Sequence, residues 1–182
     1  LDKLIATFST FPGCGIVGSR LLYPDGSLQE AGGIIFSDGS GWNYGRNQEA
    51  ADPRYQFARE VDYVSGACLA IEQAFYAQLG GFDSHYAPAY YEDTDLAFKC
   101  LRAGKSVVVQ PQSTVIHFEG ITSGTDVSQG AKRYQEVNHG KFAQRWEQEL
   151  KRQPATISNP DDATEVRSAA EHHVRKRILV ID

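Results

Sequence analysis

Methionine is absent from the 182 residues, cysteine occurs only three times, and the apolar runs reach about five residues. Each shortage excludes something. An apolar run that short cannot supply the ~20 residues of a membrane-spanning helix, and no secretory leader is recognisable. Cys14, Cys68 and Cys100 are odd in number, scattered and without C-x-x-C spacing, which argues against a disulfide framework and suits reduced, cytoplasmic thiols. Positive charge is also scarce. Eighteen Lys and Arg stand against 23 Asp and Glu, a net charge of −5, so a general grip on nucleic-acid backbones is excluded. What remains is the composition of a globular domain, 41% apolar and 11% aromatic, long enough to bury a core. The lack of Met, the helix-like opening LDKLIATF and the strand-like ending RILVID point to a piece of a longer protein.

Leu1, Leu4, Ile5, Phe8 and Phe11 recur at helical spacing, and Pro12-Gly13 ends that pattern. GIVGSRLLYPDGS predicts a strand or hairpin around Pro24-Asp25-Gly26. Residues 37–53, with five Gly and Asn among few aliphatics, predict a long loop. VDYVSGACLAI is β-branched and apolar enough for one central strand, with Gly66 and Ala67 marking a close approach in its middle. A short helix follows over residues 72–79, ended by Gly80-Gly81. A second helix places Leu96, Ala97, Cys100 and Leu101 on one face and stops at Gly104. SVVVQPQSTVIHF reads as a strand, residues 120–130 as a loop, and residues 132–152 as a helix through Tyr134, Val137, Phe142, Trp146 and Leu150. Residues 153–162 have linker composition, with a further helix after them.

The chemistry concentrates at Tyr90-Tyr91-Glu92-Asp93-Thr94-Asp95, where three carboxylates crowd into four residues before a helix. One account is capping, with Asp93 as N-cap and Asp95 favoured by the helix dipole. The other is catalysis: a cleft carboxylate whose neighbours raise its proton affinity and let it take a proton from a hydroxyl. Asp93 and Asp95 form a D-x-D string, but residues two apart on a helix diverge, so it makes a weak metal site. His117 ends an apolar strand, a position that suits either a metal ligand or a satisfied structural histidine. His85, His139, His172 and His173 show no ligand spacing, and no P-loop, GxGxxG, GxSxG or HExxH pattern occurs.

Taken in order, VSGACLAI, LGGFD, YYEDTDLAFKCLRAG and VIHFEG resemble the acceptor-side half of the family 2 inverting glycosyltransferases of the GT-A fold, nearest the bacterial rhamnosyltransferase-like members. GIVGSRLLYPDGSLQEAGG is similar to the segment that precedes it in them. The resemblance implies an α/β fold, a mixed sheet flanked by helices, without the N-terminal nucleotide-binding half. It implies three stretches: residues 1–124 as the C-terminal half of the GT-A domain, 125–152 as a helical extension, and 153–182 as linker, helix and the start of a following domain. Asp93 would be the general base, Glu92 and Asp83 would bind the acceptor, Gly66 and Ala67 would let the donor approach, and His117 would belong to the metal or diphosphate site. Residues 122–129 would cover the nucleotide.

The implied reaction moves a sugar, with inversion, from a nucleoside diphosphate-sugar donor to a glycan or lipid-linked acceptor in envelope polysaccharide synthesis. A divalent cation, Mg²⁺ or Mn²⁺, would assist. The expected location is cytoplasmic, at the inner face of the membrane by peripheral association, with no transmembrane segment and no nucleic acid as partner. Since the family's upstream D-x-D is missing, the chain by itself is expected to be inactive. The contrasting expectation is a non-catalytic carbohydrate-binding or interaction module on the same scaffold.

Overall fold

The computed structural model describes residues 1–118, 133–159 and 162–172. Its centre is a mixed sheet built on two long parallel strands, β1 (Cys14–Leu22) and β7 (Ser106–Ile116). The short strand β5 (Arg59–Val61) runs antiparallel to β7. Along the opposite side of β1 lie β6 (Leu69–Ile71), paired with residues 16–18, and β2 (Leu28–Glu30), paired with Leu21 and Leu22, both antiparallel. The hairpin turn that joins β1 to β2 is where the Pro-Asp-Gly chemistry predicts it, closed by Gly26 N–H on the Tyr23 carbonyl at 3.0 Å.

Alternation along the two long strands explains the layering. Ile16, Val107 and Val109 point to one face, where Phe75 of α2 (Gln73–Gln78) and Leu96, Ala97 and Cys100 of α3 (Glu92–Arg102) cover them. Val17 and Val108 point to the other face, where Leu4 of α1 (Asp2–Thr10) packs. Because both faces are buried, these strands read as apolar runs rather than as alternating ones. The α/β arrangement expected from the resemblance is therefore present, a mixed sheet flanked by helices. At Pro111 the β1–β7 register jumps, from Ser19 opposite Gln110 to Arg20 opposite Thr114. Proline has no N–H to donate to the ladder, so the strand bulges there and then resumes.

Several expectations need correction. VDYVSGACLAI is not one strand: it forms β5 and β6 with a turn over residues 65–68 between them, and the two short strands pair with different partners. Its Gly66-Ala67 pair is the exposed tip of that turn. The loop predicted at 37–53 contains β4 (Gly41–Asn43), paired with β3 (Gly33–Ile35) as a separate two-stranded sheet. The helix predicted through residue 152 breaks at Trp146, between α4 (Arg133–Arg145) and α5 (Glu147–Leu150). Its buried stripe contains Asn138, fully enclosed, while Val137 is 54% exposed. Likewise Ile5 of α1 is 55% exposed, and Thr7 takes an inward place. The stop at Gly104 stands as expected, with φ 78 and its N–H on the Leu101 carbonyl.

Phe98 on the other side of α3 meets Phe142 and Trp146 edge-on, at ring-centroid separations of 4.9 and 5.3 Å. These rings join α3, α4 and α5 into one aromatic core with Tyr86, Ile35 and Leu150. Within the stretch called linker, Ser37 N–H donates to the Pro154 carbonyl at 2.8 Å and Ile157 packs inward. Helix α6 (Ala163–Ala170) buries Ala169 and Ala170 against Leu28, Ile34 and Phe36. No helix among the described residues is long and apolar enough to cross a membrane, and the three cysteines are free. The loop at 122–129 and the terminal RKRILVID lie outside the described residues.

Candidate active site

The site grows from an unusual turn. Tyr90 and Tyr91 both adopt the left-handed backbone region, each with φ 73, immediately before α3. For bulky residues this costs on the order of 1–3 kcal/mol each, and it persists only where the surroundings enforce it. The enforcing group is Asn138. Its Nδ2 reaches the carbonyls of Tyr86, Ala89 and Tyr90 at 2.7, 2.9 and 3.1 Å. The Tyr91 hydroxyl then donates to the Gly39 carbonyl at 3.2 Å, and its ring lies 5.1 Å from that of Phe142. Tyr91 is thus the N-cap of α3, and it caps without any side-chain hydrogen bond.

That corrects the capping account for Asp93, which stands one residue inside the helix from Glu92. Its Oδ2 leaves the helix and accepts the Gly66 N–H at 2.8 Å, while Oδ1 accepts the Thr94 N–H at 2.7 Å. The carboxylate is only partly buried, and its partner Gly66 is on the surface. Desolvation holds the Asp93 carboxyl above its ordinary range, and the two amides pull it part of the way back. Glu92 is raised too, by burial and then by the Asp93 charge. Among the described residues its Oε2 is buried without a hydrogen-bond partner.

The two carboxylates of the D-x-D string do diverge. Asp95 turns inward, fully buried, and its Oδ1 accepts the Trp146 indole N–H at 2.9 Å. Lys99 Nζ lies 2.8 Å from Oδ2 and Arg145 Nε 3.3 Å from Oδ1. Asp95 therefore ties α3 to α4 and α5.

Of the residues singled out in the sequence, Asp93 and Gly66 meet directly, Ala67 sits in the same turn, and Glu92 adjoins. Asp83 and His117 are held by other partners. Asp83 caps the short helical turn at residues 84–86 through the His85 N–H at 2.9 Å, and it pairs with Arg145 at 2.6 Å. Beside it opens a shallow groove of about 450 Å³ lined by Asp83, His85, Lys141, Gln144 and Arg145. His117 follows β7, and its Nδ1 lies 3.0 Å from Gln29 Oε1. Among the described residues no three His, Cys, Asp or Glu side chains converge as a metal site.

Sequence reasoning missed Glu30 and Asn138. Glu30 is 2% exposed in β2, and its Oε1 accepts the Ser65 N–H at 3.0 Å. Burial foremost, opposed by the Ser65 N–H and reinforced by the Asp93 charge, pushes its carboxyl up to about 8. The hairpin signal could have exposed it, because the pairing sets Glu30 across from the buried Leu21. Asn138 gave no such signal, since an asparagine on a helix face reads as solvated.

The raised Glu30 has a consequence for stability. The folded chain holds this proton more tightly than the unfolded chain, whose value lies near 4.5. Between those two values the native state binds more protons, so unfolding free energy should fall as pH rises, by at most ~1.4 kcal/mol per unit. Urea unfolding at several points from pH 5 to pH 8 should show that decline, and Glu30→Gln should flatten it. An equal slope in both proteins would remove the assignment.

No protein-family model matches the chain. An N-acetylglucosaminyl-diphospho-decaprenol L-rhamnosyltransferase of Mycobacterium tuberculosis is 30% identical over 140 residues, 69% of this chain and 44% of that protein. The O-antigen biosynthesis protein RfbC of Myxococcus xanthus is 29% identical over 131 residues, 69% of this chain and 10% of its own length. The solved structure of GalNAc-T7 with UDP, GalNAc and Mn²⁺ superposes with a TM-score of 0.55, at 16% identity, over 82% of this chain and 30% of that one. The chain is a relative of bacterial family 2-like glycosyltransferases and carries part of the GT-A fold. It spans less than half the length of these curated relatives. Within this GT-A portion, Glu30 and Asp93 meet at the turn over residues 65–68, and His117 rests on Gln29.

Proposed function

We propose that this chain carries the base-bearing, acceptor-side part of an inverting glycosyltransferase. The reaction moves a sugar from a nucleoside diphosphate-sugar donor to a glycan or lipid-linked acceptor of the bacterial envelope. The observation that carries the proposal is Asp93: a half-buried carboxylate, pinned through Oδ2 to an exposed turn, with its proton affinity raised by desolvation. Such a group takes the proton of an incoming hydroxyl as that oxygen attacks the anomeric carbon from the face opposite the diphosphate. Glu92, beside Asp93 and with its own carboxyl raised by burial, would hold the acceptor on this reading. Gly66 and Ala67 leave the turn without bulk where the donor sugar would lie.

A divalent cation would neutralise charge on the departing diphosphate. His117 would contribute a ligand to it, and the described residues do not complete a site. On this reading the protein works in the cytoplasm, at the inner face of the membrane. Incubating the full-length protein with a panel of nucleoside diphosphate-sugars and a polyprenyl-diphosphate-sugar acceptor should yield a product of inverted anomeric configuration by NMR. Binding of glycan without turnover from any donor would instead favour the carbohydrate-binding module.

A further inference from the structure

Two buried or half-buried carboxyls hang from consecutive amides of one turn. Glu30 Oε1 accepts the Ser65 N–H at 3.0 Å, and Asp93 Oδ2 accepts the next amide, Gly66 N–H, at 2.8 Å. Neighbouring peptide nitrogens are only a few ångströms apart, so the two carboxyl groups are brought side by side from different elements, β2 and α3. The catalytic reading uses Asp93 and gives Glu30 no task, yet an isolated glutamate inside a strand pair is expensive to bury. We infer that Glu30 is a positioning residue for Asp93: in its neutral form it anchors the Ser65–Gly66 turn without opposing the charge on the neighbouring base. This rests on the base role proposed above for Asp93.

The groups facing Glu30 from the packed elements support the neutral form. Asp93 approaches from α3, Tyr63 from the chain just before the turn, and the apolar Leu21 lies opposite in β1. Of these, Asp93 is the one whose charge disfavours a second negative charge on Glu30. Tyr63 itself is held neutral, raised by burial and then by Glu30 and Asp93, and its hydroxyl donates to Asn43 Oδ1 at 2.7 Å. Two carboxylates hung from adjacent amides repel, so one proton on the pair keeps both hydrogen bonds to the turn intact. Ionisation of Glu30 near pH 8 would drive one carboxylate off the turn. Asp93 loses its alignment if that carboxylate is its own, and Gly66 shifts if the anchor at Ser65 is the one released. The device therefore predicts loss of activity at alkaline pH for a reason separate from protonation of the base.

The test uses the full-length protein with ¹³C-labelled carboxyl groups and the transfer assay. The Glu30 carboxyl should titrate near 8 by NMR, and Asp93→Asn should move its midpoint down. The pH profile of kcat/KM should carry an alkaline limb in the wild type that Glu30→Gln removes, the amide keeping an acceptor for Ser65. Glu30→Ala should lower kcat about tenfold near neutrality, with Glu30→Gln restoring it. A Glu30 midpoint near 4.5, or one that Asp93→Asn leaves in place, overturns the inference, as does the same alkaline limb in Glu30→Gln. Full turnover in Asp93→Asn would instead remove the base reading, a result distinct from any of these.

Discussion

Asp93→Asn in the full-length protein should lower kcat by roughly 10²–10⁴, the usual contribution of a positioned general base. Asparagine keeps the shape but only one acceptor oxygen, so it can hold the Gly66 N–H while giving up the Thr94 N–H, a local loss at the first turn of α3. What disappears is the charge that receives the acceptor's proton. The wild-type rate should rise with pH through the Asp93 carboxyl, at a midpoint displaced upward because burial disfavours its ionised form. That acidic limb should be missing from the variant's residual activity. Circular dichroism and unfolding midpoints matched to wild type would show that folding is not the cause. Turnover within a few-fold of wild type would sink the assignment of Asp93 as base.

The largest effect on stability should come from Asp95, the other carboxylate of the string. Asp95→Ala leaves Lys99, Arg145 and the Trp146 indole N–H without the acceptor that joins three helices, and Lys99 is only 11% exposed in this pair. Breaking a buried charge pair by removing one partner typically costs ~3–5 kcal/mol. In a chain of this length that corresponds to a fall in Tm of about 10 °C. Asp95→Asn, which retains an acceptor for the indole, should lose less. A loss under about 1 kcal/mol on Asp95→Ala would mean that the aromatic contacts of Phe98, Phe142 and Trp146 hold the helices together without it.

The contrast between Asp93 and Asp95 shows how far local pattern reached. Helical spacing was enough to say that the two side chains diverge, and the string YYEDTD was enough to mark the site. The destinations of those side chains were not legible. Asp95 finds Trp146 fifty-one residues away, and Asp93 finds Gly66 twenty-seven residues back. VDYVSGACLAI misled for a related reason: its apolar residues satisfy two short strands on different partners as well as one long strand, and only the pairing chooses. Propensity also failed at Tyr90 and Tyr91. A left-handed backbone at two tyrosines runs against their own preference and is imposed by Asn138 from another helix.

Composition settled the outer limits. Runs of about five apolar residues exclude a spanning helix, and a net charge of −5 excludes a general polyanion surface, because both depend on composition alone. Periodicity then determined most of the helices, the β1–β2 hairpin and the apolar strand β7, since each follows from contacts within a few residues. Tertiary structure alone decided that Glu30 and Asp93 share one turn, that Asp95 is a buried tie, and that His117 rests on Gln29. These pairings join segments far apart in sequence, and the protonation of each carboxyl is set by which neighbours and how much water folding leaves around it.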